Sequence, residues 1–506
     1  MDKKTFYIII FIFLPLIIFG QEGAITEPLS FESALEKSFL QNETIIQARL
    51  HQKEQESKLK SARTLRVPQV SLSASYMMLS DDIAIDMSDI RESITPLYSV
   101  MANYGNFSGV PNPDPNTAPM LPILPDDIST NAVRQQLADG LAKIESSDWN
   151  SVIQQKNFGV LSTNVVWPIF TGGKINAANK AAKIELEEAS IKEQQAINSV
   201  YNQLTERYFG LVLAAQAKEV RMEVYKSMEL HLFEAEKLFE EGMISKAELL
   251  HAQLHFAQAD RELKKSLREY EVISKSLKST LSEDDDVEFI PITPLFYTTE
   301  VESADFFKEC AKANNAILQQ ISSKQQLAQQ GTRAERSSYM PTVAAIGNYN
   351  IADYQLAHAT PKYMAGVTLS WKIFGGGSTY NKTKSAKLVE EQASQAHSRV
   401  SRDIETGIEK YHQELFMALE QLEELEKSKE FATEYYRIRH QAFVEGMATS
   451  TEVIDASLAL TKNKIDKLQA AYQFDMALIK LLDLAGIPQE FTNYKNEEKS
   501  VQLIQN

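Results

Sequence analysis

Cysteine is almost missing from this chain: Cys310 is the only one among 506 residues. A single thiol excludes an intrachain disulfide and a thiolate zinc site, so the compartment must be read from other signals. Positive charge is also in deficit, with 52 Lys and Arg against 68 Asp and Glu and a formal net charge of −16. Nucleic acid binding needs a basic face that neutralises phosphates, and no basic run of that density occurs, so no nucleic acid partner is expected. Long apolar runs are absent beyond Gln21, where none approaches the roughly 20 residues with which a helix crosses a bilayer. If the mature chain crosses lipid, it must do so as a β-barrel, the other arrangement that satisfies every backbone group there.

The N-terminus carries a targeting pattern. Met1 to Lys4 holds two lysines, Phe6 to Phe19 is a 14-residue run without charge, and Phe19-Gly20-Gln21 offers a small residue at a cleavage point. This reads as a secretory signal peptide over residues 1–20, cut near Gly20. No cysteine follows the cut, so no lipid anchor is offered at the mature N-terminus.

The rest of the chain is a duplication. EGMISKAELLHA begins at Glu241 and EGMATSTEVIDA at Glu445, 204 residues later (445 − 241). At the same offset VVWPIFTGGK from Val165 aligns with LSWKIFGGGS from Leu369, so Trp167 meets Trp371 and Gly172-Gly173 meets Gly376-Gly377. Further back RVPQVSLSASY from Arg66 lies over YMPTVAAIGNY from Tyr339 at an offset of 273. The change of 69 residues (273 − 204) is an insertion in the first half. The first repeat spans 29–281 with the insertion at 81–157, a linker covers 282–300, the second repeat spans 301–486, and 487–506 is a polar tail.

Each half reads as helix, strand, loop, strand, very long helix, tight turn, helix, an α+β chain. Period-two alternation marks the strands. Val70, Leu72, Ala74 and Tyr76 share one face, as do Val343, Ala345, Gly347, Tyr349 and Ile351. The later strands align Leu161, Val165, Trp167 and Ile169, or Ala365, Val367, Leu369, Trp371 and Ile373, opposite Ser162 and Asn164, or Thr368, Ser370 and Lys372. About ten residues is the length of a tilted transmembrane β-strand, and Tyr76, Trp167, Tyr349 and Trp371 are candidates for an interfacial aromatic girdle. Between Lys174 and Glu240, and between Ser378 and Val444, 67 residues pass with no proline and one glycine each. At 1.5 Å per residue such helices are about 100 Å long. Leu204, Tyr208, Leu211 and Ala215, or Ile408, Leu415, Leu419 and Leu422, mark a coiled-coil-like seam. Gly242 and Gly446 suit left-handed caps, and Ser245-x-x-Glu248 and Thr449-x-x-Glu452 are capping boxes that start returning helices.

Four strands per chain cannot close a barrel, which takes at least eight, and open edges are not tolerated in lipid. Several chains must therefore share one barrel if the strands span a membrane. The duplicated proline-started strands (Val67-Pro68-Gln69-Val70 and Met340-Pro341-Thr342-Val343), the Ile-Phe-x-Gly-Gly segments (Ile169 to Gly173 and Ile373 to Gly377) and the two Gly-Met tips follow one another in one order. From Leu29 to Gly486 the chain in this respect resembles the TolC-like outer-membrane efflux proteins of Gram-negative bacteria. The resemblance implies a homotrimer with a 12-stranded β-barrel in outer-membrane lipid and an α-helical barrel across the periplasm. It further implies the exit duct of a tripartite efflux or type I secretion system, docked at Gly242, Met243, Gly446 and Met447 to a periplasmic adaptor and served by an inner-membrane RND or ABC-type transporter.

The resemblance also implies that Glu452 and Asp455 ring a closed periplasmic entrance. Glu452 has a competing duty as the third residue of a capping box, like Glu248; Asp455 has none, and its counterpart is His251. The aromatic and arginine of the family's tip latch are replaced by Phe443 and Ala448. No enzyme activity and no cofactor are expected. Glu248, His251 and His255 have ligand spacing without the His-Glu-x-x-His order, so no metal is expected. Gly172-Gly173-Lys174 lacks the rest of a phosphate loop, and nothing marks a nucleophile elbow. In the insertion, Pro111 to Pro125 is proline-rich and expected to be extended, and Ser129 to Glu145 to be a short amphipathic helix. A lid, a surface-recognition loop and a passive loop are all compatible with it. The linker and tail are expected around the waist of the helices. A periplasmic coiled-coil structural or adhesion protein with a small soluble sheet is the alternative reading.

Overall fold

A computed structural model describes residues 25–103, 110–112, 114–124, 126–283, 287–496 and 500–503; the expected signal peptide lies outside them. The first repeat runs β1 (Ile25–Leu29), α1 (Phe31–Gln41), α2 (Glu43–Thr64), β2 (Gln69–Met78), β3 (Ile83–Asp86), α3 (Ser88–Asn103), β4 (Val110–Pro111), β5 (Ile123–Leu124), α4 (Asp126–Ser146), β6 (Asn150–Gln154), β7 (Asn157–Phe170), α5 (Lys174–Glu240) and α6 (Lys246–Leu281). After β8 (Val287–Pro291) and β9 (Phe296–Tyr297), the second runs α7 (Ala304–Asn314), α8 (Ala316–Arg336), β10 (Thr342–Tyr354), β11 (Tyr363–Ser370), α9 (Ser378–Val444) and α10 (Ser450–Ala485), followed by α11 (Phe491–Asn496) and β12 (Val501–Gln502). Both long helices are 67 residues, with the ends that proline absence and the tip glycines predict.

Two compact units result, one of residues up to 62, 176–335 and 378 onward, the other of 63–175 and 336–377. In the first, α5 and α6 form one hairpin and α9 and α10 a second. Their main core gathers Phe31, Tyr208, Phe209, Phe296, Phe474 and Phe491, all fully buried. Tyr208 is satisfied inside it: its hydroxyl donates to the Leu29 carbonyl at 2.7 Å and accepts from the Thr293 amide at 3.0 Å. The linker and tail are structural parts of this core. β8 pairs in parallel with β1, and β9 pairs antiparallel with β12. The tail is polar by composition, yet Phe491 and Tyr494 are buried there. Tail composition averages over exposed residues such as Asn493 and Asn496, which hid these two anchors.

The second unit is built on a four-stranded antiparallel sheet in the order β11-β10-β7-β2. The two hairpins keep the same internal register: Val70 faces Val165, and its counterpart Val343 faces Leu369. They are staggered against each other, because across β7 Val343 faces Phe170, five residues beyond Val165 (170 − 165). A stagger of this kind tilts strands, as barrel closure requires. Register shifts fall between Val343 and Ala344 and between Asn350 and Ala352, so Ile169 and Ile351 leave the expected alternation. Such bulges add local twist and bend the strand. β7 has 14 residues and β10 has 13, longer than expected, while β11 stops at Ser370, short of Trp371 and Ile373.

The insertion is more ordered than a loop. The β2–β7 ladder continues through the Leu79 amide to the Lys156 carbonyl at 2.7 Å, the β3–β6 pair, and the Met87 amide to the Trp149 carbonyl at 3.0 Å. It then carries α3 and α4, where the Tyr98 ring lies close over Gly140. The buried Gln154 clamps the turn of the other hairpin, donating to the Gln355 carbonyl at 2.8 Å and accepting from the Ala357 amide at 2.7 Å. α4 contains the expected helix. α3 was not expected, since Pro96 inside it argues against a helix by removing a donor.

Candidate functional site

The sheet has two chemically opposite faces. Register aligns Val70, Leu72, Ala74 and Tyr76 with Val165, Thr163, Leu161 and Gly159, and continues the same face through Trp167, Ala345, Val367 and Leu369. Leu72 is 66% exposed and Val367 68% exposed. On the opposite face Ser73 Oγ lies 3.0 Å from Ser162 Oγ, the Asn164 amide donates to Ser73 at 2.9 Å, and the Asn348 amide donates to Asn164 at 2.8 Å. A polar chain thus crosses three strands behind a bare apolar surface, the alternation of a membrane barrel.

Its girdle candidates are held in duplicate. The Trp167 indole donates to the Arg66 carbonyl at 3.1 Å, and the Trp371 indole to the Tyr339 carbonyl at 3.1 Å, each two residues ahead of the strand-opening proline. Tyr76 and Tyr349 are exposed on the sheet. Eight residues separate Trp167 from Gly159, the partner of Tyr76 (167 − 159), or about 26 Å at 3.3 Å per residue. An outer-membrane apolar band is roughly 25 Å tall.

The hairpin tips form the second site. Gly242 and Gly446 adopt φ of 76° and 72°, the left-handed cap that only glycine takes without strain. Both capping boxes are complete, Ser245 with Glu248 and Thr449 with Glu452. The tips also touch each other: Ala235, Leu249 and Ala252 of the first hairpin pack with Phe443 and Val453 of the second. Met243 and Met447 are exposed at the ends. Phe443 is fully buried in this cluster.

The two candidate gate carboxylates differ. Glu452 is held below the usual carboxylate range, first by the Thr449 amide and then by Arg439, whose guanidinium lies 3.3 Å away. Asp455 is exposed and acts on His255 across the hairpins. His251 and His255 stack edge to face at 4.6 Å, and Thr451 lies 3.5 Å from His251 Nδ1. Among the described residues no group of three or more His, Cys, Asp or Glu could hold a metal. None of their helices is long and apolar enough to cross a membrane.

The sequence matches the outer membrane efflux protein family over residues 131–282 and 309–487. The chain belongs to that family. The two matched segments fall on the two repeats, as expected of an outer membrane efflux protein with internal duplication. Solved structures share the fold. The outer membrane protein VceC of Vibrio cholerae is 14% identical with a TM-score of 0.65, covering 90% of this chain and 96% of its own. The CmeC outer membrane channel of Campylobacter jejuni is 14% identical with a TM-score of 0.67, covering 90% and 85%. The open-state MtrE outer membrane channel of Neisseria gonorrhoeae is 12% identical with a TM-score of 0.65, covering 90% and 89%. Among curated proteins none matches the sequence.

Sequence reasoning passed over two tip residues of this efflux protein. Arg439 pairs with Glu452 from one helix away, and His231 is 1% exposed between the hairpins. One signal was available: His231, His251, His255 and His440 are half of the chain's eight histidines, and three of them flank the tip turns.

Proposed function

We propose that this outer membrane efflux protein is the exit duct of a tripartite efflux or type I secretion system. Three copies close one 12-stranded β-barrel in the outer membrane, and their long helices form one periplasmic tube. The observation that carries the reading is the sheet: four strands, both edges open, an apolar face and a polar face. Alone, it leaves edge N–H and C=O groups that lipid cannot satisfy; three copies pair every edge. The polar face then lines the lumen and the tryptophans sit at an interface. The exposed Gly-Met tips dock a periplasmic adaptor, which joins the duct to an inner-membrane RND or ABC-type pump. Residues 1–20 are removed on export.

At the periplasmic end Asp455 is the constriction carboxylate. Glu452 is committed to its capping box and to Arg439, so it holds the turn rather than the ion path. Threefold symmetry brings three Asp455 carboxylates to one axis, where they favour cations. The test is ionic conductance of the purified mature protein in a planar bilayer. Discrete openings with cation preference, weakened several-fold in Asp455→Ala, are expected. Openings indifferent to the substitution would remove Asp455 from the gate, and silence from well-folded oligomer would remove the duct.

A further inference from the structure

The second hairpin is fastened to His231 of α5. Its Nε2 lies 2.8 Å from the hydroxyl of Ser450, the first residue of α10. Its ring lies 4.6 Å from that of Phe443 near the end of α9. Ser450 and Phe443 are both fully buried, and no group among the described residues satisfies His231 Nδ1.

The titratable groups around it come from every helix at the tip. From α6 come His251 and His255, and from α9 comes His440. Glu234, one turn along α5, lies 3.3 Å from His440 rather than beside His231. From α10, Glu452 is paired with Arg439, and Asp455 acts on His255. Among the described residues the charged groups that act on His231 are thus three imidazoles, those of His440, His251 and His255.

We propose that His231 is a proton-operated catch, which holds the second hairpin against the first at the tip while neutral and releases it when protonated. A neutral imidazole fits this apolar, hydroxyl-lined position. An imidazolium would be an unpaired charge in a buried site. Burial first, and then His440, His251 and His255, depress its pKa from the ordinary 6.5 to about 4. The sign follows from linkage. The docked tip binds the proton more weakly than an undocked tip, so this contribution to docking is fully present above pH 6.5 and is lost as the pH falls toward 4. A gap of this size moves the docked-to-undocked ratio on the order of 10- to 100-fold between pH 8 and pH 4.5. Periplasmic acidification would therefore loosen the second hairpin, the one that carries Asp455. The consequence for conduction rests on the duct reading above; the consequence for hairpin docking does not.

Hairpin separation is measured directly in the full-length protein in lipid nanodiscs. Spin labels are placed at Glu241→Cys and Glu445→Cys in a Cys310→Ser background, with labelled chains diluted in unlabelled ones. Pulsed electron resonance at pH 8 and pH 4.5 should show a longer-distance population appearing in acid. In His231→Leu, which keeps the apolar fill, and His231→Gln, which keeps a partner for Ser450, the distances should not respond to pH. An unresponsive parent protein, or the same acid response in whichever variant folds, would overturn the catch. Conductance of the same samples at pH 8 reports on the duct separately.

Discussion

At positions 204 residues apart, the two hairpins place related side chains in unlike surroundings. Phe239 is half-buried with the Lys246 ammonium 5.2 Å above its ring, whereas Phe443 is fully buried between the hairpins. Glu271 is exposed and paired with Arg268 at 3.1 Å, whereas Asp475 is fully buried and neither carboxyl oxygen makes an ordinary hydrogen bond. Glu248 caps its helix, whereas Glu452 caps its helix and also binds Arg439. The 36-residue returning helix is the less buried copy as α6 and the more buried one as α10, which buries Val453, Ile454, Ala470, Ala471, Phe474, Leu478, Leu481 and Leu482. Duplication copied the instructions for turning the chain. Burial was assigned afterwards by neighbours, and chemistry diverged with it.

The strongest way to break this comparison is to truncate the paired phenylalanines. Phe443→Ala should cost about 3–5 kcal/mol, the usual range for a buried phenylalanine, while Phe239→Ala should cost about 1 kcal/mol because its ring is already half in water. Denaturant unfolding of the detergent-solubilised protein compares the two, and equal losses would mean that the hairpins are equivalent in solution.

The acids come next. Burial pushes the Asp475 carboxyl well above the usual range, with a smaller opposing pull from the Phe296 amide. A carboxyl whose folded pKa is raised contributes stability below its unfolded value near 3.8, and that contribution is lost as the pH rises. Asp475→Asn should therefore match the parent at pH 4 and exceed it by about 1–3 kcal/mol at pH 8. Glu271→Gln, at the exposed copy, should cost at most about 1 kcal/mol. Thermal unfolding across that pH range reads both, and a flat difference for Asp475→Asn would show that its carboxyl is not protonated in the core.

The smallest effects belong to the turns. Gly242→Ala and Gly446→Ala each force a Cβ into a left-handed cap, costing about 1 kcal/mol. Gly446→Ala should cost slightly more, because its Cβ would meet the Met243 Cε at 3.2 Å while that of Gly242 meets nothing within 4 Å. Calorimetric midpoints of the two variants order them, and the reverse order would show that the tips part in solution.

Much of the fold was legible because its rules are local. Proline absence, a glycine cap and a capping box act within one turn of backbone, so α5 and α9 have the ends read from sequence. The strand faces were legible for the same reason, up to the bulges at Ile169 and Ile351, which arise from pairing between hairpins. α3 was hidden by Pro96, and the buried tail by its polar average. In the candidate site, the duplication pointed to the tips, and the family resemblance to Glu452 and Asp455. The ion pair that occupies Glu452 needed Arg439, 13 residues away, brought close by the hairpin. His231 needed Ser450, 219 residues away.

Local chemistry written along the chain thus settled the elements, their duplicated order, the two faces of each strand and membership of an outer membrane efflux family. Only tertiary packing decided which copy of each repeated residue lies in the core, how far one β-hairpin is staggered against the other, and that an imidazole fastens the helical tips together. The reason is range: a helix cap or a pleat is decided by residues within one turn of each other, whereas desolvation of Phe443, Asp475 and His231 is decided by whatever distant segment closes over them.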